Sequence, residues 1–269
     1  MDIVTITNLK KYFGKGENLV KALDGVDLTI EKGKFTVILG TSGCGKTTLL
    51  NMVGGLDTPT EGSVSVEGTD LNSLDETQRA VFRRSRIGFI YQNFNLIPTL
   101  TVMENILFSM DLGNLTPDKG FLWEVLGMLR LEDRLDAFPG ELSGGGQQRV
   151  AIARALIGKP AIILADEPTG SLDSKTSQNV LGLLKSSVET FHQTLVMITH
   201  NLDIAQLADR VVHMEDGRIR ENKQKNTYQE DGSNMHRSGG QTAYREDGSN
   251  MHRSGGSRYT GMGRRDAGK

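Results

Sequence analysis

Nine consecutive residues near the beginning of the chain have the composition of a phosphate-binding loop. They match the pattern G-x-x-x-x-G-K-[ST] and comprise Gly40, Thr41, Ser42, Gly43, Cys44, Gly45, Lys46, Thr47 and Thr48. Glycines let backbone N–H groups approach a phosphate closely, and the following helix presents its positive N-terminus to the same anion. We expect Lys46 to reach the β- and γ-phosphates of a nucleoside triphosphate and the Thr47 hydroxyl to bind Mg²⁺. The alternative is an ordinary glycine-rich turn.

Two neighbouring carboxylates, Asp166 and Glu167, follow the apolar run AIILA at 161–165. A carboxylate at the end of a buried parallel strand points toward the crevice in which α/β sheets bind their ligands. Asp166 is therefore suited to hold Mg²⁺, directly or through water. Glu167 could polarise a water molecule for attack on the γ-phosphate. Taken alone, the pair could instead cap the turn at 168–170.

The elements that must position these groups alternate between strands and helices. Apolar runs at 35–40, 161–166 and 194–200 predict buried parallel strands, and the first leads into a predicted helix that Gly54 and Gly55 stop. Apolar residues at helical spacing over 180–191 predict a crossover helix. The sequence therefore predicts an α/β fold with a parallel-sheet core.

Two further segments interrupt this alternation. Residues 101–157 contain three helical patterns with no clear strand between them, which predicts a helical insertion at about 97–155. Near the end of the domain, the Asp-Gly pair in HMEDGRI is typical of a tight hairpin. Both segments are expected to lie within one domain spanning 1–221.

The composition limits the classes of protein to which the chain can belong. Its 31 Lys+Arg and 33 Asp+Glu give a net charge of −2. This charge argues against a protein whose main activity is binding nucleic acid through the phosphate backbone. The single cysteine, Cys44, excludes an internal disulfide framework. No apolar run approaches the roughly 18 residues that span a bilayer. We therefore expect a soluble, intracellular protein.

Residues 222–269 differ from the rest of the chain. They contain nine basic and five acidic residues and no Leu, Ile, Val, Phe or Trp, and YQEDGSNMHRSGG at 228–240 returns as YREDGSNMHRSGG at 244–256. Such a segment cannot bury enough apolar surface to offset the entropy of ordering it. We expect a disordered, repeat-containing tail. The alternative is a peptide that binds a partner or a metal through His236 and His252.

A third motif distinguishes among the NTPase and kinase families that share the first two. Residues 142–149 read LSGGGQQR and lead into VAIARAL. With this segment the chain resembles the ATP-binding subunits of ABC transporters over 1–221. FNLIPTLTVMEN and ADEPTGSLDS are most similar to the subgroup handling lipoprotein release, macrolide export and antimicrobial-peptide resistance. No guanine-reading N-K-x-D occurs, which disfavours a GTPase.

The resemblance assigns ATP contacts to residues outside the phosphate loop. Ser143, Gly144 and Gly145 would contact ATP from the signature loop, and Asp173 would belong to the D-loop. Tyr12 would stack on adenine. Taken singly, Tyr12 is equally typical of a core residue.

The resemblance also assigns the catalytic residues. Gln92 would be the Q-loop glutamine, which binds Mg²⁺ together with Thr47 and Asp166, and His200 would be the switch histidine. The expected catalytic set is thus Glu167, His200, Gln92 and Lys46. Without the resemblance, His200 could be a structural histidine at a strand end.

The resemblance implies a P-loop NTPase fold with a small antiparallel β subdomain and an inserted helical subdomain. It also implies an ATPase that dimerises around two ATP, with a second subunit, expected to be an identical copy, supplying half of each site. Separate transmembrane permease chains would hold it at the cytoplasmic face of the cell membrane for export or extraction of a lipophilic or peptide substrate. The apolar segment after Gln92 is the candidate permease contact. A mechanotransmitting or regulatory ABC ATPase without cargo, and a soluble ABC protein of DNA repair or translation, are the alternatives.

One position, Gly146, departs from the pattern of the family. Gly146 stands where the family usually has Gln or Glu, so with Ser143 as N-cap the helix lacks the side chain that completes a capping box. We expect a looser signature loop with slower turnover. Cys44 occupies a variable position of the phosphate loop and is expected to be neutral for catalysis. The alternative is a reactive thiol, because the residue lies beside a helix N-terminus.

Overall fold

The computed structural model of the chain describes residues 1–224. Ten strands in this range form two sheets: β1 Asp2–Phe13, β2 Val20–Glu31, β3 Phe35–Leu39, β4 Glu61–Val66, β5 Thr69–Asp70, β6 Ile87–Ile90, β7 Ile162–Asp166, β8 Leu195–Thr199, β9 Arg210–Glu215 and β10 Arg218–Gln224. The helices are α1 Lys46–Val53, α2 Glu76–Arg86, α3 Val102–Asp111, α4 Lys119–Leu129, α5 Gly144–Ile157, α6 Ser174–Thr190 and α7 Leu202–Ala205.

The larger sheet has six strands in the order β10-β9-β3-β8-β7-β6. Five of them run parallel, and β10 pairs antiparallel with β9 at one edge. All five residues of β3 are buried because alternate side chains enter two different cores. Val37 packs with the inserted helices, whereas Ile38 packs with α1 and the smaller sheet. The predicted parallel core is confirmed.

The smaller sheet is antiparallel, with the order β2-β1-β4-β5. Its buried face joins α1 in one apolar cluster that includes Val4, Leu28, Leu49 and Val64. Because α1 contributes to this cluster, the small sheet fixes the helix that follows the phosphate loop. The antiparallel subdomain implied by the resemblance is present.

Three helices, α3 to α5, lie between β6 and β7, and no strand occurs between those two strands in the described chain. Thr101 and Glu104 form a capping box at the start of α3, which is the arrangement that satisfies exposed N–H groups at a helix N-terminus. Helix α5 continues to Ile157, two residues beyond the expected limit of 155.

The expected boundary at 221 is three residues too early. Strand β10 continues to Gln224, and Asn222 accepts a hydrogen bond from Nε of Arg210 over 2.7 Å. Cross-strand pairing extends the domain because the ladder with β9 does not end at 221. The remainder of the expected tail, including its repeat, His236 and His252, lies outside the described residues. Among helices within 1–224, none combines the length and apolarity required to cross a membrane.

Candidate nucleotide-binding and hydrolysis site

The phosphate loop connects β3 to α1 and is held in place by close backbone contacts. Gly45 is the N-cap of α1 with φ +103°, a conformation that side-chain-bearing residues rarely adopt. A Cβ at Gly45 would lie 2.2 Å from the carbonyl oxygen of Ala22, and one at Gly40 would lie 2.4 Å from that of Met214. Glycine is therefore required at both positions by the strands that flank the loop.

Lys46 places its ammonium group at the loop itself. Its Nζ donates to the carbonyl oxygens of Gly40 and Thr41 over 2.9 and 2.8 Å. The residue is only 6% exposed, so this charge is held against the loop instead of extending into solvent. Backbone N–H groups, a helix N-terminus and one ammonium group together suit a polyphosphate.

The carboxylate of Asp166, at the end of β7, accepts a hydrogen bond from the Thr47 side chain. Burial raises the pKa of Asp166 above its ordinary value, and the Thr47 hydrogen bond and the nearby Lys46 charge act in the opposite direction. A hydroxyl and a carboxylate in contact are oxygen donors of the kind that Mg²⁺ prefers, and phosphate oxygens and water complete such a site. The residues present therefore fit this ion.

Glu167 and His200 contact each other across the ends of β7 and β8. Nδ1 of His200 lies 3.0 Å from Oε1 of Glu167, and because a carboxylate only accepts hydrogen bonds, Nδ1 carries the proton. Glu167 has φ +42°, which is unusual for a residue with a side chain, and its N–H donates to the carbonyl of Ile198. This backbone bond supports the conformation that turns Glu167 toward the phosphate loop.

Glu167 and the phosphate loop border the same cavity, which has a volume of about 670 Å³. Its other walls come from β2 and from the turn between β9 and β10, including Lys21, Asp24, Gly217 and Arg218. Glu167 also borders a second cavity of about 600 Å³, which contains His200. Glu167 is thus the residue that joins the phosphate-loop cavity to the histidine.

The signature segment, residues 142–149, does not border the phosphate-loop cavity. Ser143 is the N-cap of α5, and its Oγ accepts from the N–H of Gly146 over 3.2 Å. Ser143 and Gly145 line a third cavity of about 540 Å³, which shares no lining residue with the phosphate-loop cavity. One copy of the chain therefore does not bring Ser143 and Lys46 to the same cavity.

Gln92, Asp173 and Tyr12 are also absent from the lining of the phosphate-loop cavity. The Gln92 side chain packs against Gly170, where an added Cβ would lie 2.7 Å from its Nε2. Asp173 caps α6, accepting hydrogen bonds from two backbone N–H groups. Tyr12 is half-buried, and its hydroxyl donates to Asp24, which does line the cavity. Their roles toward ATP stay predictions.

The alternative of a reactive thiol at Cys44 does not fit the structure, in which the residue is buried. Cys44 is 6% exposed and belongs to the apolar cluster around α1. Its Sγ would lie 2.5 Å from a Cβ added at Gly40. The position next to a helix N-terminus does not expose the thiol, because the loop turns it inward, and a buried thiol is not accessible to reagents.

Two residues missed by sequence reasoning hold the segment after Gln92. Asn105 is fully buried, accepts from the N–H of Ile97 over 2.7 Å and donates to the carbonyl of Leu100 over 3.0 Å. Arg154 donates to the carbonyl oxygens of Phe94 and Asn95. Neither has a motif-like spacing, so only their contacts identify them.

Known proteins are similar to this chain in sequence. The family model described as ABC transporter matches residues 23–170. The chain is 44% identical to the lipoprotein-releasing system ATP-binding protein LolD of Psychrobacter arcticus, covering 80% of this chain and 96% of the relative. It is 42% identical to the bacitracin export ATP-binding protein BceA of Halalkalibacterium halodurans, covering 81% and 87%.

A solved structure is also similar to this chain. The ATP-binding cassette MJ0796 of Methanocaldococcus jannaschii, a dimer in a post-hydrolysis state bound to ADP and Pi, matches with a TM-score of 0.74 and 40% identity. The match covers 82% of this chain and 98% of that one. The chain therefore belongs to the ABC transporter family, in which it is an ATP-binding cassette with ATPase function.

Proposed function

We propose that the chain is the ATP-hydrolysing subunit of a membrane transporter and acts as a dimer around two ATP molecules. The observation that carries this proposal is the single cavity bordered by both the phosphate loop and Glu167. It allows a triphosphate held at Lys46 to meet a carboxylate that could activate water. Asp166 and Thr47 would hold Mg²⁺, which when bound would neutralise charge on the phosphate oxygens.

Hydrolysis then follows from the positions of three side chains. The oxygen of a water molecule bonds to the γ-phosphorus while the bond to the bridging oxygen breaks, and Glu167 accepts the proton of that water. The electron pair of the broken bond stays on the bridging oxygen, which leaves as part of the β-phosphate of ADP, and the Lys46 ammonium group stabilises the negative charge that develops there. Nδ1–H of His200 orients the Glu167 carboxylate over 3.0 Å, so that its second oxygen is free for water.

The dimer accounts for the separation of the signature segment from the phosphate loop. Because Ser143 and Lys46 border different cavities, ATP can touch both only if a second subunit supplies Ser143, Gly144 and Gly145. The related cassette MJ0796 was solved as a dimer. We assign Gln92 and Asp173 to the contacts that form when the subunits close, and Tyr12 to the adenine.

The permease subunit that ATP hydrolysis would drive would dock next to Gln92. Asn105 and Arg154 fix the backbone at 94–101, and an adjacent cavity of about 320 Å³ is lined by Tyr91, Phe108 and Arg154. An apolar segment of a separate permease subunit would fit there, and such docking would hold the chain at the cytoplasmic face of the membrane. The relatives for lipoprotein release and bacitracin export favour a lipophilic or peptide cargo.

The test replaces the proposed base. Glu167→Gln keeps the size of the side chain and one acceptor oxygen for His200 but removes its basicity, so we expect steady-state turnover to fall by about 100-fold or more. ATP binding should persist, and light scattering should detect a species of about twice 29.4 kDa with Mg-ATP.

Glu189→Gln serves as the control, since Glu189 is an exposed carboxylate on α6 that pairs with Lys185. It should leave turnover unchanged. Unaltered turnover in Glu167→Gln would show that another group is the base, and failure of the parent chain to bind ATP would contradict the proposed function as a whole. Recovery of a membrane permease with the tagged chain from detergent extracts tests the transporter assignment.

A further inference from the structure

The turn between β9 and β10 connects two walls of the phosphate-loop cavity. The N–H of Gly217 donates to the carbonyl of Cys44 in the phosphate loop over 3.0 Å. The carbonyl of Gly217 accepts from the N–H of Asp24 in β2 over 2.9 Å. Gly217 has φ +71°, and an added Cβ would lie 2.8 Å from the carbonyl oxygen of Ala22, so the turn fits tightly between loop and strand.

The next residue of the turn extends this connection through side chains. Nη2 of Arg218 donates to Oδ2 of Asp24 over 2.6 Å, and the hydroxyl of Tyr12 donates to Oδ1 of the same carboxylate over 2.5 Å. Both oxygens of Asp24 are therefore engaged by charged or polar donors. Together these bonds lower the pKa of Asp24 to about 2, the Arg218 hydrogen bond being the largest cause.

This connection lies beside the phosphate loop, on the wall of the cavity that β2 and the turn form. A triphosphate held at Lys46 has its ribose and base beyond the loop, and the remaining cavity walls there are β2 and the turn. Lys21 lines this wall and holds its ammonium 5.3 Å from the centroid of the Tyr12 ring. The Tyr12 side chain therefore contacts two residues of this wall, Lys21 and Asp24.

We propose that Arg218 is a positioning residue for the nucleoside end of ATP: through Asp24 it fixes the Tyr12 ring, while the adjacent Gly217 ties that wall to the phosphate loop. This inference rests on the proposed ATP site. It predicts that losing Arg218 weakens contacts with adenosine and spares contacts with the phosphates. It concerns binding, so turnover at saturating ATP should be preserved.

The experiment compares two probes, ATP and inorganic tripolyphosphate, by calorimetric titration of the full chain in the Glu167→Gln background. Arg218→Met removes the guanidinium group and keeps the apolar stem. Since the bond to Asp24 is charge-assisted but partly exposed, we expect the Kd for ATP to rise about fivefold. The Kd for tripolyphosphate should stay within about twofold of the parent value by the same reasoning.

Arg210→Met is the matched control, because Arg210 joins the same hairpin to β2 at its other end, donating to the carbonyl of Thr29 over 2.7 Å. It should leave the Kd for ATP unchanged. Arg218→Lys should recover part of the affinity. Tyr12→Phe keeps the ring and removes one bond of the network, so it should reproduce a smaller loss and serves if Arg218→Met does not fold.

Three results would overturn the inference. Equal affinity of Arg218→Met and the parent for ATP would show that the network has no role in binding. Equal losses for ATP and tripolyphosphate would identify Arg218 as a general attractor of anions. An equal loss in Arg210→Met would show that the hairpin acts only through stability. If the parent binds neither probe, the proposed ATP site fails first, and the inference fails with it.

Discussion

At the scale of single residues, the contact between His200 and Glu167 determines how the Glu167 carboxylate is oriented. The Glu167 carboxylate has two oxygens, and the His200 Nδ1 contact of 3.0 Å occupies one of them. The other can then face a water molecule over the phosphate loop. Without His200, the carboxylate could rotate, because the Glu167 side chain is 21% exposed.

His200→Ala should therefore slow hydrolysis by at least about tenfold, while the affinity for ATP changes little. Lost orientation of a base lowers turnover without removing contacts to bound nucleotide. Steady-state phosphate release and an ATP titration measure the two quantities. His192→Asn is the control, since His192 is exposed with φ +51°, a conformation that Asn tolerates. Weakened ATP binding with normal turnover would contradict the orienting role.

At the scale of elements, the start of α5 contains an incomplete cap. Ser143 accepts from the N–H of Gly146, as a capping box requires, but Gly146 has no side chain to return the bond. A Cβ at Gly146 would lie 3.2 Å from the Cβ of Leu142, a contact that Leu142 must relieve by a few tenths of an ångström. Leu142 precedes the helix in extended conformation and packs, partly buried, against the core that contains the inserted helices.

Gly146→Gln should raise the free energy of unfolding by about 1 kcal/mol, since glycine inside a helix costs about that much and Gln also completes the box. ATP hydrolysis should be equal or higher, because a firmer signature segment presents Ser143 in one position. Chemical denaturation and steady-state turnover measure these effects. Gly146→Ala supplies the control: it restores helix propensity without the capping side chain. A marked fall in activity with Gln would refute this account.

At the scale of the whole molecule, the limit of the folded domain is set by the β9–β10 ladder. Removing 225–269 leaves β10 whole and deletes no residue assigned to chemistry, so unfolding and ATP hydrolysis should be unchanged. Removing 222–269 also deletes Asn222, which accepts from Arg210, and shortens the pairing with Val212 and Arg210. The shorter chain should have a melting temperature lower by a few degrees. Calorimetry of both chains distinguishes them, and equal melting temperatures would contradict the assigned limit.

The sequence by itself determined the motifs and the elements that contain them. The phosphate loop, the acidic pair, the three apolar strands and the helical insertion were all predictable, because glycine spacing and apolar periodicity are local properties. The Asp-Gly hairpin was predictable for the same reason, but its function was not. The limit at 221 was missed because polar residues continue an edge strand without an apolar pattern.

Only the tertiary structure decided which residues share a cavity. Cys44 is buried and Glu167 contacts His200 because strands distant in sequence lie side by side, and no local spacing encodes those contacts. Asn105, Asp24 and Arg218 were likewise invisible, since their importance lies in single hydrogen bonds to residues far along the chain. The separation of Ser143 from Lys46, which calls for a second subunit, is also a property of packing alone.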